Sequence, residues 1–170
     1  MSITNIIATL EKLEKMHKSL LELAIAKTEH IKQGDMEKFD QMIKNEQAHV
    51  AAINTLEQQR QSMVTDYLRA KGIALTDIPT VADVIDAAST TESADATEAL
   101  IGVRERLMKV LETLKNQNDL NQKMVFNSLQ MIHITLDAMR PRQQEQFNYS
   151  GADVRGQSDI SKKSFTEFKA

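Results

Sequence analysis

Hydrophobic positions recur at intervals of three and four from Ile3 to about Gln33: Ile6, Leu10, Leu13, His17, Leu20, Ala24, Thr28 and Ile31 form one mostly apolar stripe. That spacing is the signature of an amphipathic helix packed by one face. The stretch "QGDMEKF" then interrupts it. Gly34 is placed to end the first helix, and Asp35 to cap the second through the free amides of its first turn. A turn this short forces the two helices to run antiparallel. The second helix, about 36–71, repeats the rhythm through Met36, Phe39, Ile43, Val50, Ile53, Leu56, Met63 and Tyr67, with Glu46 and Arg60 intruding on the stripe. Gly72 closes it.

A short helix is expected over 80–88, opened by Thr80, and is followed by the polar run "STTESADATE". Between Lys71 and Arg104 stand six carboxylates (Asp77, Asp83, Asp86, Glu92, Asp95, Glu98) and no base, which reads as a solvated acidic connector. A third long helix is expected over 95–139, stopped by Arg140-Pro141 because proline lacks the amide and restricts the residue before it. At about 1.5 Å per residue it spans nearly 70 Å. It is therefore longer than either helix of the hairpin, and its surplus must project or meet another partner. After Arg140 the periodicity is lost, and residues 141–170 are expected to be a flexible tail. Four of the chain's seven aromatics lie in that tail (Phe147, Tyr149, Phe165, Phe168), which favours a segment that orders on a partner. The expectation is an all-α fold: an antiparallel helical hairpin plus one very long third helix, a coiled-coil-like bundle of three to four helices over residues 1–140.

Composition narrows the chemistry. The chain has 170 residues and no cysteine, so disulfides, thiolate nucleophiles and zinc–sulfur sites are excluded. Aromatics are 4% and Gly plus Pro number seven, which disfavours sheets. A net charge of -3 gives no basic face for nucleic acid. Charges interrupt every apolar run before a spanning length, and the amino terminus carries no basic leader, so a soluble cytoplasmic protein with no membrane insertion is expected.

The stripe of the third helix runs Leu107, Leu111, Leu114, Asn118, Asn121, Val125, Ser128, Ile132, Leu136 and Met139. Asn is a mediocre helix former, so two of them on an apolar face need a reason. Either they fix the register of a buried seam, or they dilute a face that stays open for another chain, with Met124, Met131 and Met139 as adaptable neighbours. The excess length favours the open face.

Two Glu-x-x-His tetrads, Glu14 to His17 and Glu46 to His49, have the spacing used in carboxylate-bridged di-metal bundles. Such a site also needs inward carboxylates from two further helices. Glu105, Glu112 and Asp119 all lie off the third helix's apolar stripe. No phosphate-binding loop or Ser–His–Asp arrangement is present. The expectation is no enzymatic activity, no catalytic residue, no cofactor and no metal, with the di-metal bundle and a self-associating coiled-coil scaffold as alternatives.

"LLELAIAKTEHIKQGDMEKFDQMIKNEQAHVAAINTLEQQR", then "LKNQNDLNQKMVFNSLQMIHITL" and a tail with "NYSGADVRG", resemble flagellar export chaperones of the FlgN family. The resemblance rests on the hairpin with Asp35 at its turn, the paired Asn118 and Asn121 ahead of an apolar run, and a tyrosine preceding a glycine-containing tail. It implies a type III export chaperone. Such a protein holds hook-associated (hook–filament junction) proteins before secretion and delivers them to the export gate at the membrane. It also implies a cargo role for Asn118, Asn121, Val125, Leu129, Ile132 and Leu136, a gate or cargo role for Tyr149, and a monomer or weak homodimer.

Overall fold

The computed structural model describes residues 2–73 and 78–140, and the expected tail, 141–170, lies outside them. Four helices account for nearly all of the described chain: α1 (Ile3–Gln33), α2 (Met36–Ala70), α3 (Val81–Thr91) and α4 (Ala94–Met139). Among the described residues there is no strand. The fold is all-α. No helix of the described chain is long and apolar enough to cross a membrane.

The turn between α1 and α2 is built by local chemistry. Gly34 adopts φ 69°, in the left-handed region where a side chain is strained. Its amide donates to the Ile31 carbonyl at 3.2 Å, and the Asp35 amide to that of His30 at 3.1 Å. These paired bonds close α1 in a Schellman motif. Asp35 Oδ1 then accepts from the Lys38 amide at 3.1 Å and starts α2. α3 opens with a reciprocal box: the Asp83 amide donates to Thr80 Oγ1 and the Thr80 amide to Asp83 Oδ2. It runs to Thr91, three residues past the expected end. The hydroxyls of Ser89, Thr90 and Thr91 bond back to carbonyls of Asp86 and Ala87, so the Ser/Thr run is taken into the helix. Ser93 caps α4.

α1 is the central strut. α2 packs antiparallel to it across the short turn. α4 runs parallel to it, because Glu14 meets Arg106 and Thr28 meets Asn121 at almost the same sequence offset. α3 bridges α2 and α4 at the base. There the core is dense: Ile6, Leu10 and Leu13 of α1 pack with Val64, Tyr67 and Leu68 of α2, Val84 and Ala88 of α3, and Leu100 and Val103 of α4.

Burial is unequal along the bundle. α1 buries residues from Ile3 through Ile31. α2 buries none before Ile53, and α4 none after Asn121. The bundle is therefore closed at the base and open toward the turn. At the observed offset Gln33 lies level with Phe126. The last turns of α4 thus project about 20 Å past the end of α1, at 1.5 Å per residue. The surplus length expected from the sequence is this projection.

Candidate functional site

Where the packed base gives way to the open end, a belt of polar contacts ties α4 and α2 to α1. Asn121 is 3% exposed. Its Nδ2 donates to the Ala24 carbonyl at 2.7 Å, and its Oδ1 accepts from Thr28 Oγ1 at 2.6 Å. Gln117 Nε2 donates to the same Thr28 oxygen at 2.6 Å. Each buried polar atom of Asn121 is satisfied, which fixes the height of α4 on α1; a slide by one turn would leave them unpaired. On the other side, Lys27 Nζ donates to both carboxylate oxygens of Glu46 at 2.6 and 2.7 Å. That pair explains the charge intruding on the stripe of α2. His49 donates through Nδ1 to the Asn45 carbonyl, which leaves Nε2 to accept from Ser19 Oγ at 2.9 Å.

Beside this belt and on toward the turn, α2 and α4 flank α1 with space left between them. A hollow of about 550 Å³ is lined by Leu20, Lys27 and Ile31 of α1, Phe39, Glu46 and Val50 of α2, and Asn118, Asn121, Val125, Phe126 and Leu129 among the residues of α4. A second, of about 500 Å³, is lined by Ile31, Met36, Phe39, Val125, Leu129, Met131 and Ile132, and reaches past the turn. Together they form a groove whose floor is α1 and whose lining is mainly apolar. The projecting end of α4 continues it. Phe126, Leu129, Met131, Ile132, Ile134, Leu136 and Met139 are all more than half exposed. Residues 122–139 hold only two formal charges, Lys123 and Asp137, so the exposed end has little to keep it in water.

The sequence-predicted residues divide across this geometry. Val125 is half-buried in the groove wall, Leu129 and Ile132 line it, and Leu136 stands exposed beyond it. Asn118 is exposed at the groove's rim. The open-face expectation needs correction at Asn121, which is sealed against α1 and acts there as a register device. Two residues three apart on a helix differ by about 60° in direction, enough to turn one inward and leave the other at the edge. Tyr149 lies outside the described residues. Sequence reasoning passed over Phe39 and Ile31 as groove residues, since each sits on a stripe that reads as core. It also passed over Phe126 and Ile134, which lie off the stripe of α4, and named Met131 only as an adaptable neighbour. The signal for Asn121 was Thr28, another polar residue on an apolar stripe.

The Glu-x-x-His tetrads are engaged otherwise. Glu14 is buried and accepts from Lys18 Nζ at 2.6 Å and Arg106 Nε at 3.1 Å. The bond from Lys18, then that from Arg106, outweigh the opposing effect of burial and hold its carboxyl below the usual range. His17 donates through Nδ1 to the Leu13 carbonyl at 2.8 Å. Among the described residues no three His, Asp or Glu side chains converge as metal ligands would. Of the acidic connector, Asp83 caps α3 while Glu92 accepts from Lys71 and from the buried Tyr67 at 3.0 Å each. Those bonds depress the Glu92 carboxyl, that from Lys71 most. Asp77 lies outside the described residues.

The molecule is thus an all-α bundle with an apolar groove left open between two of its helices. The family model described as FlgN protein matches residues 1–153. The chain is also 31% identical over 150 residues to a Bacillus subtilis (strain 168) protein titled "Uncharacterized protein YvyG", with 88% of each chain covered. No solved structure matches it. The chain belongs to the FlgN family of flagellar export chaperones.

Proposed function

We propose that this chaperone holds hook-associated proteins of the hook–filament junction in the cytoplasm, keeps them from assembling early, and hands them to the flagellar export gate. An amphipathic terminal helix of the cargo lies in the groove between α2 and α4 and continues along the projecting end of α4. The observation that carries this reading is the groove with its bare extension: a nearly uncharged run of exposed apolar residues aligned with a hollow that lacks one helix. A guest helix completes the bundle, the helix-in-groove mode of recognition. Asn118, Val125, Leu129, Ile132 and Leu136 face the guest, while Asn121 positions the wall they stand on. The protein acts by binding and release rather than by catalysis, and Tyr149 serves contact with cargo or gate.

The test is capture of purified junction protein by the full-length chain, beside an Ile132→Asp/Leu136→Asp variant. The expected result is loss of capture with helicity unchanged by circular dichroism. Undiminished capture by that variant would move the cargo site elsewhere. The projecting end also suits a second reading, self-association of two copies through α4. Light scattering on dilute protein decides it: a tight dimer dissolved by the same variant would favour the scaffold.

A further inference from the structure

Resting on the cargo reading above, we propose that the groove selects a guest helix with one uncharged hydrogen-bonding side chain, an amide or a hydroxyl, seated against Lys27 and Glu46. Both of these side chains line the larger hollow. Lys27 keeps 12% of its side-chain surface exposed and Glu46 16%, so the pair is largely desolvated yet reachable from the groove. Lys27 Nζ donates to the two Glu46 oxygens at 2.6 and 2.7 Å, and to no other group among the described residues. An ammonium has three donors and a carboxylate about four lone-pair sites, so each partner keeps capacity unspent. The opposite wall is polar at the same height. At the offset of 92 residues between Glu14 and Arg106, Lys27 lies level with Asp119, and Asn118 and Gln122 line the hollow beside it. Apolar lining flanks this level on both sides: Leu20 and Val50 toward the base, Ile31 and Phe39 toward the turn. The pair is a polar island in the path of a guest helix.

A guest that closes the groove excludes water from this pair. An apolar side chain there leaves the unspent donor and lone pairs without partners, which offsets much of what its own burial returns. A guest Lys or Asp brings a third charge to a pair that is already neutral, where little water remains to screen it. A carboxamide donates to Glu46 and accepts from Lys27 at once, and a hydroxyl does the same. The matching guest therefore carries one Asn, Gln, Ser or Thr on its apolar face, with large apolar residues about a turn away on either side. That residue sets the height of the guest in the groove, as Asn121 sets that of α4 on α1.

Calorimetric titration of purified junction protein into the full-length chaperone compares wild type with two double variants. Lys27→Met/Glu46→Leu replaces the pair with apolar side chains, an exchange that often leaves stability unchanged or raises it; circular dichroism verifies the fold. Its affinity is expected to fall about 5- to 100-fold, because the polar residue of the guest then meets an apolar wall. Lys27→Gln/Glu46→Gln keeps hydrogen-bonding groups at both positions and should bind more tightly than the apolar variant. Equal or tighter binding by the apolar variant overturns the proposal, since the guest is then apolar at that height or lies elsewhere. So does an amide variant that binds no better than the apolar one. A chaperone dimer whose dissociation on dilution shifts between wild type and either variant overturns it too, since a second copy then fills the groove. The Ile132→Asp/Leu136→Asp variant, titrated alongside, separates the two readings. If it loses binding while the apolar variant does not, the cargo site stands and the polar contact falls. If wild type binds no junction protein, both fall.

Discussion

Residues 94–121 and 122–139 of α4 each carry nine large apolar side chains, although the second stretch is 18 residues long and the first 28. The first buries Leu100, Val103, Leu107 and Leu114 in the core; the second buries none. Hydrophobicity therefore does not decide which half becomes core. What decides it is the reach of the neighbours: α1 ends at Gln33, and α3 packs only at the base. Charge follows the same division. The first stretch has nine charged residues around its buried stripe, the second only Lys123 and Asp137. A helix end free of a partner would ordinarily be the more charged one. The comparison teaches that the base of α4 is built into the core while its tip adds nothing to it, which leaves the tip free for the association proposed above.

The sharpest way to break this comparison is at the base. Leu100 is fully buried in the core cluster to which all four helices contribute. Leu100→Ala should cost about 2–5 kcal/mol by removing methyl groups and leaving a cavity. Chemical denaturation read by circular dichroism measures it. A change below about 1 kcal/mol would mean the base is not the stabilising half.

Next is the boundary. Asn121→Leu alone removes the partner of Thr28 and of the Ala24 carbonyl, and should cost about 1–3 kcal/mol. Adding Thr28→Val removes the hydroxyl that has lost its Asn121 acceptor, so the double variant should be less destabilised than the sum of the two singles. Strict additivity would show that the two side chains do not act as one unit.

A third test uses pH. Glu14 has its carboxyl depressed in the fold, by Lys18 first and by Arg106. A depressed carboxyl lends stability above its unfolded value of 4.5 and loses it as pH falls through the lower folded one. Thermal stability should therefore decline on acidification below that value, and Glu14→Gln should flatten this part of the profile while lowering stability at neutral pH. An identical profile for the variant would assign the acid sensitivity to other carboxylates, such as Glu92.

Most of the fold was legible in the sequence, because the stripes of α1, α2 and α4 and the caps Asp35 and Thr80 obey local rules that act within a few residues. The end of α3 was not, since the hydroxyls of Ser89 to Thr91 serve a helix as readily as a loop. The candidate site was legible only in outline. Periodicity marks Leu107, Leu114, Ile132 and Leu136 alike as one stripe, and cannot say where the covering helix stops. The ion pair of Lys27 with Glu46 and the bond of Thr28 with Asn121 join residues 19 and 93 positions apart, and no local pattern encodes such pairs.

The smallest expected change in stability comes at the tip, and it separates the two halves most cleanly. Leu136 and Ile132 are each 54% exposed and lie beyond the core. Leu136→Ala and Ile132→Ala should each alter folding stability by less than about 0.5 kcal/mol. If the tip is a docking surface, the same truncations should weaken capture of a junction protein by about 1–2 kcal/mol each, roughly five- to thirty-fold. Isothermal titration calorimetry measures the second quantity, denaturation the first. At Leu100 the order reverses, with a large loss of stability and little loss of affinity in whatever fraction remains folded. A tip substitution that unfolds the protein without touching affinity, or a base substitution that spares the fold and abolishes capture, would invert the division of α4 into a stabilising and an associating half.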